Sequence, residues 1–190
     1  PILLSFPLLA ACQPAASDIQ VIPQPLHVQR AEGVFTLQPD TRIFSPNGDQ
    51  DWSTAVDYLT GSIAAATGYQ LDHQFFAQKI AEPAGNTIYF LPDDQIAHAE
   101  GYQLEVKSNA ILIRARTAAG AFYAVQTLRQ LFPADINGPK LVALKNGWTA
   151  PCCVIRDEPR FVYRGMHLDV ARHFFPVSFV KKYIDLLASH

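Results

Sequence analysis

Hydrophobic and polar positions alternate in short runs along most of the chain, and three times the spacing lengthens to the three- and four-residue steps of a helix. Trp52, Ala55, Val56, Leu59, Ile63 and Ala66 recur at those steps, with Asp51 where an N-cap belongs and Gly68 where a C-cap belongs. A second stripe, Ala121, Phe122, Val125, Leu128, Arg129 and Phe132, predicts a helix over Thr117 to Leu131, capped by Thr117 and ended by Pro133. Between and around the helices lie strand patterns. Residues 26–37 alternate loosely about Glu32-Gly33 and predict a hairpin. Thr41 to Phe44 is a short strand closed by Pro46-Asn47-Gly48, and Asn86 to Leu91 is a strand stopped by Pro92. Gly101 to Lys107 and Ala110 to Ala115, joined at Ser108-Asn109, predict a second hairpin. Tyr69 to Phe76 shows no clear period, and Cys152 to Asp157 leads out of the region. Strands alternating with two helices predict an α+β domain over residues 19–157, both helices on one face of an antiparallel or mixed sheet.

Glu158-Pro159 marks a boundary. Beyond it, over 158–190, a strand from about Tyr163 to Asp169 runs into a polar loop and then a helical stripe of Phe179, Val180, Tyr183, Ile184 and Leu187. One strand, one loop and one helix cannot bury themselves. The expectation is a fragment whose packing partners lie elsewhere.

At the other end, Ile2 to Ala11 is an apolar run too short to span a bilayer as a helix. It closes on Leu9-Ala10-Ala11-Cys12 and passes into a linker of small and polar residues, Gln13 to Asp18. This resembles the end of a bacterial lipoprotein signal, in which Cys12 becomes the lipidated residue; an ordinary secretory signal is the alternative. Residues 1–18 are therefore set aside from the fold. An exported protein, anchored through lipid and facing the periplasm or outer membrane, is expected.

Composition narrows the picture only a little. Of the 190 residues, 49% are hydrophobic and 17% charged, a globular balance. A net charge of −2 gives no electrostatic reason to expect nucleic acid as a partner. Cys152 and Cys153 are adjacent, show no zinc-ligand spacing, and read as two small hydrophobes on a strand. No metal or organic cofactor is expected.

The chemistry gathers in one stretch, Arg160-Phe161-Val162-Tyr163-Arg164-Gly165-Met166-His167-Leu168-Asp169-Val170-Ala171-Arg172-His173-Phe174-Phe175. With Val180-Lys181-Lys182-Tyr183-Ile184-Asp185 after it, the stretch resembles the start of the catalytic barrel in β-N-acetylhexosaminidases of glycoside hydrolase family 20. Ile22-Pro23-Gln24-Pro25, Glu100-Gly101-Tyr102-Gln103-Leu104 and Ala119-Gly120-Ala121-Phe122-Tyr123-Ala124-Val125-Gln126-Thr127-Leu128 resemble the accessory domain that precedes that barrel. Ala124 departs from the glycine of the family pattern.

The resemblance implies an α+β accessory domain followed by the first βα unit of a truncated (β/α)8 TIM barrel. It implies a retaining hydrolase that removes terminal β-linked GlcNAc or GalNAc from an oligosaccharide or glycan, with the substrate's 2-acetamido group as nucleophile. The adjacent Asp-Glu pair that such an enzyme uses is expected beyond residue 190. Asp157-Glu158 stands before the barrel strand and reads as a linker turn, so the fragment alone is expected to be inactive.

By the same resemblance Arg172 hydrogen-bonds the sugar's C3 and C4 hydroxyls, a role that suits the planar five-donor guanidinium. A salt bridge to Asp169 is the structural alternative. Asp169 is expected to support Arg172 or its loop, and His173 to support the loop or line the site. Arg164 is expected to be paired inside the barrel base, and His167 to sit in the core or barrel wall. A carbohydrate-binding or interaction module without catalysis is the competing reading. The partners expected are the glycan, the remainder of the barrel, and a membrane only through the lipid anchor.

Overall fold

The computed structural model describes residues 19–47, 50–76 and 85–189, without the side chains of Gln50 and Asp51. The signal segment with Cys12, the turn residue Gly48 and the side chain of the expected cap Asp51 lie outside the described residues.

Among the described residues, seven strands form one mixed sheet. They are β1 (His27–Leu37), β2 (Arg42–Pro46), β3 (Asp72–Phe76), β4 (Thr87–Pro92), β5 (Tyr102–Val106), β6 (Ala110–Ala115) and β7 (Trp148–Asp157), in the spatial order β1-β7-β5-β6-β4-β2-β3. The half holding β1, β7, β5 and β6 is antiparallel, whereas β6, β4, β2 and β3 run parallel. Two helices make the long connections: α1 (Gln50–Thr67) between β2 and β3, and α2 (Ala118–Leu131) between β6 and β7. They pack on each other and on the sheet. The apolar stripes read from the sequence close the core, with Val56, Leu59, Ile63, Val125 and Leu128 fully buried against Ile43, Phe90, Leu104, Ile113 and Ile155. Burying each such side chain contributes about 1.5–3 kcal/mol.

Several expectations need correction. Residues 26–37 form no hairpin: both arms of β1 pair with β7, and Ala31, Glu32 and Gly33 bulge opposite the single residue Cys152. Gly33 takes φ +99°, a conformation in which glycine has no steric cost, so the extra residues are absorbed without reversing the chain. Residues 72–76, which lack a clear period, are the edge strand β3, held by parallel pairing to β2. Strand β7 starts at Trp148, four residues before Cys152, and both adjacent cysteines lie buried and free on it.

Thr117 stands at the N-cap of α2, but its hydroxyl donates to the Ala99 carbonyl (2.7 Å) instead of capping the helix. Arg116 donates to the Ala97 carbonyl (2.9 Å), and a Cβ on Gly120 would collide with the carbonyl of Gly101. The first turn of α2 is thus fastened to the loop that leads into β5.

After β7 the chain runs without regular structure from 158 to 176 and then forms α3 (Val177–Ala188). The expected strand over Tyr163 to Asp169 is absent. A strand exists through its ladder, and no other described segment lies alongside to pair with it. No residue of α3 is buried.

Candidate functional site

Two clusters stand out in the segment between β7 and α3. The first is local and centres on Asp169. Its carboxylate accepts hydrogen bonds from the N–H groups of Ala171 (2.9 Å) and Arg172 (3.2 Å), and from Nε of Arg172 (2.5 Å). A short aspartate side chain reaches backbone two and three residues ahead of it, which makes this a side-chain-closed turn. The Arg172 backbone N–H, its guanidinium and the Ala171 N–H hold the Asp169 carboxyl below the usual carboxylate range. Because the ion pair uses Nε, the two Nη groups of Arg172 face solvent; the side chain is 86% exposed.

The structure therefore brings Asp169 and Arg172 together in an ion pair. His173 is exposed and makes no hydrogen bond to either. His167 is exposed rather than set in a core, because no described element covers it; its carbonyl accepts a hydrogen bond from Tyr183 (3.4 Å).

The second cluster is long-range. Nη2 of Arg164 donates to the Glu100 carboxylate (3.1 Å) and to the Tyr123 hydroxyl (2.9 Å). Nη1 donates to the Phe161 carbonyl (2.6 Å), and the guanidinium lies 5.4 Å from the centroid of the Tyr123 ring. The expected burial of Arg164 in a barrel base is replaced by this grip on α2 and on the loop before β5. Glu100 and Tyr123 went unremarked as site residues in the sequence, although both lie in the motifs that carry the family resemblance.

Beside the grip is a cavity of about 440 Å³, lined by Ile22, Tyr102, Gln126, Asp157, Phe161 and Arg164 among others. Its floor is polar and ordered: Tyr102 and Thr127 share a buried hydroxyl hydrogen bond (2.6 Å), and burial pushes the Tyr102 hydroxyl well above its ordinary value. Gln130 holds Ile22 through both its N–H (2.9 Å) and its carbonyl (2.8 Å). Asp157 accepts a hydrogen bond from the Leu26 N–H (3.1 Å), so its carboxylate ties the first strand's start to the last strand's end.

Burial pushes the Cys153 thiol up to about 12, which leaves it a poor nucleophile. Among the described residues no group of three or more His, Cys, Asp or Glu side chains could hold a metal ion. No described helix is long and apolar enough to cross a membrane.

The model of glycosyl hydrolase family 20, domain 2, matches residues 18–158, and that of the glycosyl hydrolase family 20 catalytic domain matches residues 161–190. Among curated relatives, a beta-hexosaminidase of Porphyromonas gingivalis is 33% identical over 190 residues, covering 95% of this chain and 23% of the relative. A beta-N-acetylhexosaminidase of Cellulomonas fimi is 32% identical over 176 residues, covering 91% of this chain and 33% of the relative. The chain thus spans between about a quarter and a third of their length. Among solved structures, the GH20 beta-N-acetylhexosaminidase of Streptomyces coelicolor A3(2) superposes with a TM-score of 0.76 at 34% identity, over 87% of this chain and 32% of that one. A mutant Streptomyces plicatus beta-hexosaminidase in complex with the product GlcNAc superposes equally well, with a TM-score of 0.76 over 89% of this chain and 32% of that one.

Proposed function

The chain belongs to glycosyl hydrolase family 20, and on that premise we propose that the protein carrying it removes terminal β-linked N-acetylhexosamine from glycans. The observation that carries the reading is the order of the two family matches on one chain, domain 2 over 18–158 and the catalytic domain from 161 onward. Relatives named beta-hexosaminidase support it, as does the product GlcNAc in a similar structure. Residues 158–190 form, in this reading, the first βα unit of a (β/α)8 barrel.

The mechanism proposed is substrate-assisted. The 2-acetamido oxygen of the sugar attacks the anomeric carbon while a glutamic acid protonates the leaving oxygen and a neighbouring aspartate orients the acetamido group. The only adjacent Asp-Glu in the sequence is Asp157-Glu158. Asp157 is occupied in holding Leu26, so it is not offered as that pair, and the chain alone is expected to be inactive. The role proposed for Arg172 is to hydrogen-bond two vicinal sugar hydroxyls. Its outward Nη groups have the fork geometry for this, and Asp169 holds the guanidinium from behind. His173 is proposed to support the loop or line the site. Export through the amino-terminal apolar run, with lipidation at Cys12, completes the reading.

The test is hydrolysis of 4-nitrophenyl N-acetyl-β-glucosaminide against the corresponding β-glucoside by the full-length protein. Strong preference for the acetamido sugar is expected, and equal rates would overturn the mechanism. Arg172→Ala should lower kcat/KM roughly ten- to a hundredfold, the loss of a charged hydrogen bond. Unchanged kcat/KM would mean that another residue reads the hydroxyls.

A further inference from the structure

The segment that carries Arg172 has no ladder hydrogen bonds between Asp157 and Val177. Among the described residues, the side chain of Arg164 ties it to the sheet-and-helix domain. Arg164 converges on three partners at once, two of which are distant in sequence, 64 residues away for Glu100 and 41 for Tyr123. The receiving side is itself cross-linked by hydrogen bonds. Tyr123 donates to Glu100 (3.4 Å), and the Glu100 N–H donates to Nδ1 of His98 (3.1 Å). Arg116 and Thr117 bind the Ala97 and Ala99 carbonyls, and Gly120 lies against Gly101, so helix and loop are fastened together.

Only four residues, Gly165 to Leu168, separate Arg164 from Asp169, which in turn clasps Arg172. An extended chain of that length reaches roughly 13–17 Å, at about 3.3 Å per residue. A single exposed ion pair would be a weak fastening. Here one planar guanidinium is fixed by a carboxylate, a phenol, a carbonyl and an aromatic face, a combination that lysine cannot reproduce.

We propose that Arg164 is a positioning residue: by gripping Glu100 and Tyr123 it lets the sheet-and-helix domain set where the guanidinium of Arg172 stands. The inference rests on the reading of Arg172 as a sugar-binding residue. It assigns the accessory domain a direct part in shaping the substrate site, beyond folding as a neighbour.

The test is a double-mutant cycle in the full-length protein over Arg164→Ala and Arg172→Ala, read as kcat/KM for 4-nitrophenyl N-acetyl-β-glucosaminide. Arg164→Ala alone is expected to lower kcat/KM by about tenfold or more, as remote misplacement of a site residue does. In the Arg172→Ala background the same substitution should cost less than about twofold, because the residue it positions is already gone. Equal losses in both backgrounds, or no loss in the wild-type background, would overturn the proposal. If Arg164→Ala fails to fold, as judged by circular dichroism, Glu100→Gln replaces it in the same cycle and keeps the arginine. A wild-type protein that leaves the glycoside intact would overturn the functional reading itself, a result distinct from an active wild type with an additive cycle.

Discussion

Residues 19–157 and residues 158–189 carry large hydrophobic side chains at comparable periodic spacings, and the two regions treat them oppositely. In the first, Leu59, Ile63, Phe90 and Leu128 are completely buried. In the second no residue is buried, and Val162 and Phe174 are 94% and 93% exposed. Helix α3 has as clear an apolar stripe as α1, yet Ile184 stands 56% exposed. The difference lies in what each stripe finds opposite it. Helices α1 and α2 meet each other and a seven-stranded sheet, whereas among the described residues the segment before α3 meets α2 and the loop before β5 through Arg164 and the cavity beside it. An amphipathic pattern states which face must be covered, but it does not itself supply the cover.

Three experiments press on this contrast. The largest effect belongs to the buried region: Leu59→Ala should cost about 2–5 kcal/mol in equilibrium unfolding of the chain, against less than about 0.5 kcal/mol for Phe174→Ala. Comparable costs would mean that the second region packs in solution. Next comes Gly120→Ala, where an alanine in a helix would ordinarily gain up to about 1 kcal/mol. The Gly101 carbonyl leaves no room for a Cβ, so a loss of about 1–3 kcal/mol is expected in the same assay. A gain in stability would show that α2 is not fastened to that loop.

The smallest effect is electrostatic and lies in the exposed region. The Asp169 carboxyl is depressed in the folded chain, so its contribution to loop order is present above the ordinary carboxylate range and lost as pH falls through the depressed value. A carboxyl NMR titration should find Asp169 below the other surface aspartates, and Arg172→Ala should move it up toward them. An unmoved titration would show that the Ala171 and Arg172 N–H groups alone set it.

Legibility in the sequence followed the range of the interactions involved. Helices α1 and α2 and the β5–β6 hairpin were readable because their periods and turn residues are local. Glu32-Gly33 looked like a hairpin turn because the local signal for a turn and for a bulge is the same glycine; only the shared partner β7 distinguishes them. Strand β3, His73 and Phe75 included, is an edge strand with no buried residue on either face, so no apolar–polar alternation is there to read. Tyr163 to Asp169 alternates as a strand should, but a ladder needs a second strand. Of the site, the Asp169–Arg172 ion pair was readable from its three-residue spacing and stood among the alternatives for Arg172. The Arg164 grip was not, because no spacing rule links residues 64 positions apart.

Strands β1 and β7 are the first and last of the sheet, and they lie side by side with His27 opposite Arg156 and the Leu26 N–H on the Asp157 carboxylate. The backbone therefore comes in and goes out at a single corner. Tension applied along the polypeptide would load the Leu26–Asp157 hydrogen bond first and then unzip β1 from β7 pair by pair, never shearing the whole ladder at once. Loaded along its own chain, the domain is mechanically soft. Its abutting ends also make it a cassette that could be circularly permuted at a surface turn such as Ser108-Asn109 without a long linker.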